Sequence, residues 1–163
     1  MSVIDTLIFD RTESDLAEWR RIRETAMRYG GISNIPSADR NVWSNGMKCC
    51  YNATDINRIC EAILYLQALF EAIDITITGT VTTNWTNTQR LTPDDVATIL
   101  GMIEEIRSGV GMNSEYTPSD LNPLTLDKMN RIERILYKGE GSYQSVLDNT
   151  IYSDEMYCGE AFR

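Results

Sequence analysis

The stretch TDINRICEAILYLQALFEAI, residues 54–73, decides the fold. Ile56, Ile59, Cys60, Ile63, Leu66, Gln67 and Phe70 recur at helical spacing and mark one face. Ala62, Leu64, Leu69 and Ile73 widen that face until little of the circumference is polar. A helix that is apolar nearly all round belongs at the centre of a bundle. Its start is expected at Thr54 or Asp55, with Thr54 as the cap. The rest of the chain must then supply helices to cover it.

Three further segments do so. Thr12-Glu13-Ser14-Asp15 reads as an N-cap with an acidic first turn, after which Leu16, Trp19, Ile22 and Ala26 repeat at helical spacing until Gly30-Gly31. Thr92, Pro93 and Asp95 open another helix as cap, first residue and capping-box acid; Val96, Ile99, Leu100, Ile103 and Ile106 form its stripe, and Gly109 and Gly111 stop it. The last begins near Thr125, with Leu126, Met129, Ile132, Ile135 and Leu136 as its apolar face. Gly139 and Gly141 are expected to interrupt or kink it.

The connections are polar. Residues 32–47 read as a loop anchored by Ile35, Val42 and Trp43, with a short helical turn after Ser37. Residues 74–90, where Ile75, Ile77 and Val81 alternate with threonines, read as a loop with one short strand at most. The tail 150–163 is too short and too glycine-interrupted for a good helix and reads as an extended arm that must pack onto something. The expectation is therefore an all-α bundle of about four helices with an extended N-terminal strip and an extended C-terminal arm. Residues 1–149 form the bundle domain and 150–163 the arm. The core should contain Leu16, Trp19, Ile59, Ile63, Leu66, Phe70, Leu100, Ile103, Ile132 and Ile135.

Composition narrows the function classes. At 163 residues the chain is long enough to bury one core, and a formal net charge of -9 repels nucleic-acid phosphate and anionic membrane surfaces. No apolar run approaches the roughly 20 residues of a membrane helix. The opening MSVIDTLIFD carries acid rather than base, unlike a secretory signal, so synthesis in a cytosol-like compartment is expected. Asn52-Ala53-Thr54 and Asn84-Trp85-Thr86 are then coincidental matches to the glycosylation sequon.

Chemistry-bearing motifs are scarce. The chain has no histidine, which removes the commonest general base and the Ser–His and Cys–His nucleophile pairs. No phosphate-binding loop, dinucleotide fingerprint or nucleophile elbow occurs. Adjacent acids at Asp94-Asp95 and Glu104-Glu105 diverge by about 100° on a helix and suit neither a shared proton nor a metal. Asp10, Asp154, Glu155 and Glu160 would form a site only if the termini met. Cys49, Cys50, Cys60 and Cys158 show no C-x-x-C spacing; a four-cysteine zinc site stays open, but reduced thiols acting as small hydrophobes is the favoured reading. No cofactor, metal or catalytic residue is expected. The aromatic residues point to interfaces or core rather than a sugar platform: Trp43 and Trp85 in loops, and Tyr152, Met156, Tyr157 and Phe162 in the arm, are the candidate interaction residues.

Three stretches together resemble a family of small tail-region proteins from phages and prophages of gut Firmicutes: DTLIFDRTESDLAEWRRIR at 5–23, GMKCCYNATDINRICEAILYL at 46–66 and TIYSDEMYCGEAF at 150–162. In the second, the family shows G-x-(M/K)-x-x-Y-N-x-(T/S)-D-(L/M)-N-R before an apolar helix; its close is Y-S-G-x-x-Y-x-G-E. A Trp followed by a Pro-started helix also recurs, as Trp85 and Thr92-Pro93. The chain departs from the pattern at Asp154, where glycine is usual, at Cys49-Cys50, and in a reduced linker before Gly46; it carries no fibre repeat. The resemblance implies a virion structural or adaptor protein without enzyme activity. Such a protein is tail-associated, assembled in the host bacterial cytoplasm, and works through contacts with other virion proteins or as a homo-oligomer, with no nucleic-acid or membrane partner. Two alternatives from other classes are a ligand- or glycan-binding module and a small phage regulatory or anti-defence protein.

Overall fold

The computed structural model describes residues 2–159, with side chains through Asp148. Five helices follow one another: α1 (Glu13–Arg28), α2 (Ser37–Ser44), α3 (Ala53–Glu71), α4 (Pro93–Gly109) and α5 (Leu126–Gly159). No strand forms among the described residues. The all-α class is as expected.

Each long helix begins where its side chains can satisfy the free N–H groups of the first turn. Thr12 and Thr92 accept from Asp15 N and Asp95 N, and each of those aspartates accepts back from the cap's own N–H at 2.8 Å. The start of α3 corrects the expectation: Asn52, not Thr54, is the cap. Its Oδ1 accepts from Thr54 N at 2.8 Å and Asp55 N at 3.4 Å, while Asp55 Oδ2 accepts from Asn52 N at 3.0 Å. One amide oxygen thus serves two donors, which a cap two residues later would leave unpaired. Beyond the end of α1 the chain turns at Gly30, φ +74°, and the Gly31 N–H closes back on the Ala26 carbonyl at 2.8 Å.

The central stack is α3 against α4 and α5, with the N-terminal segment laid across α3 and α5. Ile59, Ile63, Leu66 and Phe70 of α3 meet Ile103 and Ile106 of α4 and Ile132, Ile135 and Leu136 of α5, all essentially without solvent contact. Each such side chain contributes about 1.5–3 kcal/mol by leaving water. Two expected core residues lie elsewhere. Trp19 packs in a separate small cluster with Ile22, Ala26, Ile35, Met47, Val42 and Trp43, and Leu16 is only half-buried. The stripe of α1 packs on Ile35, Met47, Val42 and Trp43, in a cluster separate from the central stack.

Three further expectations are corrected. The N-terminal strip is not extended throughout: Val3–Thr6 form a 3-10 turn capped by Ser2, placing Ile4 in the core. Residues 74–90 are a loop, as expected, and helix side chains take its backbone groups: Gln67 Nε2 donates to Ile77 O at 2.7 Å, and Thr78 N donates to Glu105. The fourth long helix runs unbroken through both glycines, and the segment expected as an extended arm continues it as helix to Gly159. A Cβ on Gly139 would stand 3.1 Å from Leu66 Cδ1 and 3.3 Å from Ile106 Cγ2, so the missing side chain lets α5 approach α3 and α4. That packing outweighs the cost of about 1 kcal/mol for a helical glycine. At 34 residues α5 is about 51 Å long, against 19 residues for α3 and 17 for α4.

Candidate functional site

The polar centre of the molecule is a buried cluster that the extended segment 7–12, the turn before α3, α3 and α5 build together. Glu133 of α5 is fully buried. Its Oε1 accepts from Arg11 Nη2 at 2.6 Å, Arg58 Nη2 at 3.2 Å and the Tyr51 hydroxyl at 3.4 Å; its Oε2 accepts from Ile8 N at 2.6 Å and Arg58 Nε at 3.2 Å. Arg58 also donates to Asp55 at 2.6 Å, three residues back on α3. Arg11 donates further to the Lys48 and Ile8 carbonyls, and its guanidinium lies 5.2 Å from the centre of the Tyr51 ring. The Asn130 amide brackets Arg11's backbone, accepting from its N at 3.0 Å and donating to its carbonyl at 2.8 Å.

Two arginines and two carboxylates give this cluster charge balance, the condition under which buried ions persist. Burial, with the Glu133 carboxylate beside it, pushes the Tyr51 hydroxyl well above its ordinary pKa. Burial works against charge on Arg58, but its bonds to Glu133 and Asp55 win and raise its pKa.

Above the cluster opens a cleft of about 770 Å³, lined by Trp43, Lys48, Cys50, Asp55, Arg58 and Asn87 among others. The carboxylates beneath it are committed to arginines, so the cleft offers polar contacts and one indole face but no paired acid and base. Among the described residues no three Cys, Asp or Glu side chains converge to hold a metal. Cys49 and Cys60 are buried, Cys50 is half-buried, and burial raises the pKa of all three thiols, that of Cys60 to about 11. The Cys158 side chain lies outside the described part.

The residues singled out as interaction candidates are not brought together. Trp43 lies in α2 rather than in a loop, half-buried at the edge of the α1–α2 cluster. Trp85 is in a loop as expected, but its backbone is clamped by Asn57, which donates to Trp85 O at 3.0 Å and accepts from Trp85 N at 2.8 Å. Its buried indole N–H finds no nitrogen or oxygen partner among the described residues. Tyr152, Met156 and Tyr157 belong to the last turns of α5, where side chains are outside the described part, and Phe162 lies outside the described residues. Of the acids singled out, Asp95 caps α4, Glu104 bonds Arg107 at 2.6 Å, Glu105 holds Thr78, and Asp10 pairs with Lys48 at 2.8 Å. Arg11 and Glu133, the centre of the cluster, were not singled out from the sequence. The available signal was Glu133 sitting four residues after Met129 and three before Leu136, in the middle of an apolar stripe.

No protein-family model, curated protein or solved structure matches this chain. Among the described residues no helix is long and apolar enough to cross a membrane.

Proposed function

We propose that this chain is a phage or prophage virion structural or adaptor protein, tail-associated, that acts through protein–protein contacts and has no enzyme activity. One observation carries the reading. The polar residues of the Y-N-x-T-D-I-N-R stretch, exposed Thr54 apart, are consumed in holding the chain together: Tyr51 and Arg58 on Glu133, Asn52 and Asp55 on each other, Asn57 on the Trp85 backbone. Arg11, from the first of the resembling stretches, meets them there. A motif whose other polar side chains are spent on architecture fits a protein whose product is a shape. Its partners on this reading are other virion proteins and further copies of itself, and it is built in the host cytoplasm before joining the particle.

The test is to band particles from an induced source strain on a density gradient and quantify the chain by mass spectrometry. Co-banding at a fixed ratio to the other tail proteins supports the proposal; a chain left wholly in the soluble fractions overturns it. A second reading, a ligand- or glycan-binding module, is favoured only by the cleft beside Trp43 and Asn87. A glycan array separates the two, because an architectural subunit gives no hits.

A further inference from the structure

The cleft above the buried cluster is one part of a longer groove. Asn52 and Asn87, which wall the cleft, also wall a second hollow of about 420 Å³. Leu91, in that second hollow, also walls a third of about 660 Å³ along the first half of α4. The three hollows therefore adjoin in series, beside the starts of α3, α4 and α5.

The lining changes along the series. Trp43 stands in the first hollow, Ile56, Trp85 and Leu124 in the second, and Val96, Leu100 and Leu121 in the third. Side-chain amides recur beside these apolar walls. Asn45 and Asn122 make no side-chain hydrogen bond among the described residues. Asn87 and Gln89 spend only their oxygens, on Ala53 N and Thr86 N, so their NH₂ groups are open. A side-chain amide carries the same donor and acceptor as a peptide group, so an extended backbone can pair with it as with a neighbouring strand. Alternate side chains of an extended segment then enter the aliphatic hollows. A saccharide fits less well, because against aliphatic walls its hydroxyls lose water without gaining partners.

The charges in the groove specify one more group. Lys48, Asp55, Arg58, Arg90 and Asp120 line it. Lys48 pairs with Asp10, Asp55 with Arg58 and Asp120 with Lys128. Arg90 is exposed and has no ion-pair partner among the described residues. We infer that the groove receives an extended polypeptide segment of another virion protein, its backbone on the Asn87 and Gln89 amides, its apolar side chains in the hollow along α4 and one carboxylate on Arg90. The inference deepens the adaptor reading above and rests on it for the source of the segment.

Peptide selection on the full-length protein tests it. A random library of peptides about 12 residues long, reaching about 40 Å when extended, is panned against the protein. The selected peptides are synthesised and their affinity is measured by isothermal titration calorimetry. They should share an Asp or Glu beside alternating apolar residues. Arg90→Glu should weaken them about tenfold, and the same peptides with Lys in place of the acid should recover the loss. Ala97→Arg, an exposed change on the α4 wall of the third hollow, should weaken them about tenfold or more. Ala68→Arg, equally exposed on α3 and outside the groove, should leave them unchanged. Circular dichroism verifies that each variant keeps its fold. A library that yields no binder, or binders indifferent to Arg90→Glu and Ala97→Arg, overturns the inference. So do glycan-array hits, or self-association, that those two variants abolish. Particles that contain the chain while the purified protein binds no peptide would refute the groove alone. Groove-dependent peptide binding by a chain that never bands with particles would refute the virion reading alone.

Discussion

Glu133→Gln is the sharpest perturbation of the buried cluster. The carboxylate has no solvent contact and accepts from Arg11, Arg58, Tyr51 and the Ile8 amide. Glutamine keeps the volume but removes the charge, and its NH₂ group would face donors where an acceptor is required. Arg11, itself fully buried, would keep its two carbonyl bonds but only Asp55, at 3.8 Å, as a carboxylate partner. Removing one partner of a buried ion pair costs about 3–5 kcal/mol, against about 0–1 for an exposed pair such as Arg21–Asp39. In a domain of this size each kcal/mol moves the melting temperature by about 2–4 °C, so a fall of about 6–20 °C is expected. Thermal melts at neutral pH, followed by circular dichroism at 222 nm, read it directly, with Asp39→Asn as the surface control. A Glu133→Gln protein melting within about 2 °C of wild type would show that the cluster does not hold the four segments together.

Other perturbations separate competing readings of the fold. Asn52→Ala should cost about 1 kcal/mol by urea denaturation while Thr54→Ala costs a few tenths, because the cap of α3 is Asn52. Gly141→Ala should stabilise by about 0.5–1 kcal/mol, since its Cβ meets open space in a continuous helix, whereas Gly139→Val should destabilise by about 1–3 kcal/mol against Leu66 and Ile106. A helix broken between the two glycines would show no gain at Gly141. Asp10, Asp15, Asp39, Asp95, Asp120 and Asp127 all have lowered pKa values, chiefly from side-chain hydrogen bonds to Lys48, Thr12, Arg21, Thr92, Lys128 and Arg131 respectively. The unfolded chain therefore takes up protons first as pH falls, so melting temperature should hold from pH 7 to 5 and drop below about pH 4. Cys60 shifts the other way, to about 11, so its contribution is lost as pH rises from the ordinary thiol value of 9.0 towards that figure. Iodoacetamide at pH 8 should alkylate half-buried Cys50 before Cys49 or Cys60.

What was legible in the sequence was local. The caps at Thr12 and Thr92, the glycine stop after α1 and the broad apolar face of α3 are signals carried within one turn or one stripe. What was not legible depended on partners distant in the chain. Trp19 reads as core on its own stripe, but which core depends on α2 and Met47 meeting it. Gly139 reads as a break until Leu66 and Ile106 are known to occupy the space beside it. The alternation at Ile75 and Ile77 leaves room for one short strand, yet a strand needs a neighbour, and here Gln67 and Glu105 make the backbone hydrogen bonds instead. Arg11 and Glu133 are 122 residues apart in sequence, and nothing near either names the other. Of the candidate site, only Asp55 was in view, as a residue at the expected start of α3.

The most direct test of the assembly account is a reconstruction of the source particle by electron cryomicroscopy. Density in the tail region, repeated by the particle's symmetry, is expected to accept the α3–α4–α5 stack. A complete particle reconstruction with every tail density assigned to other chains would contradict it.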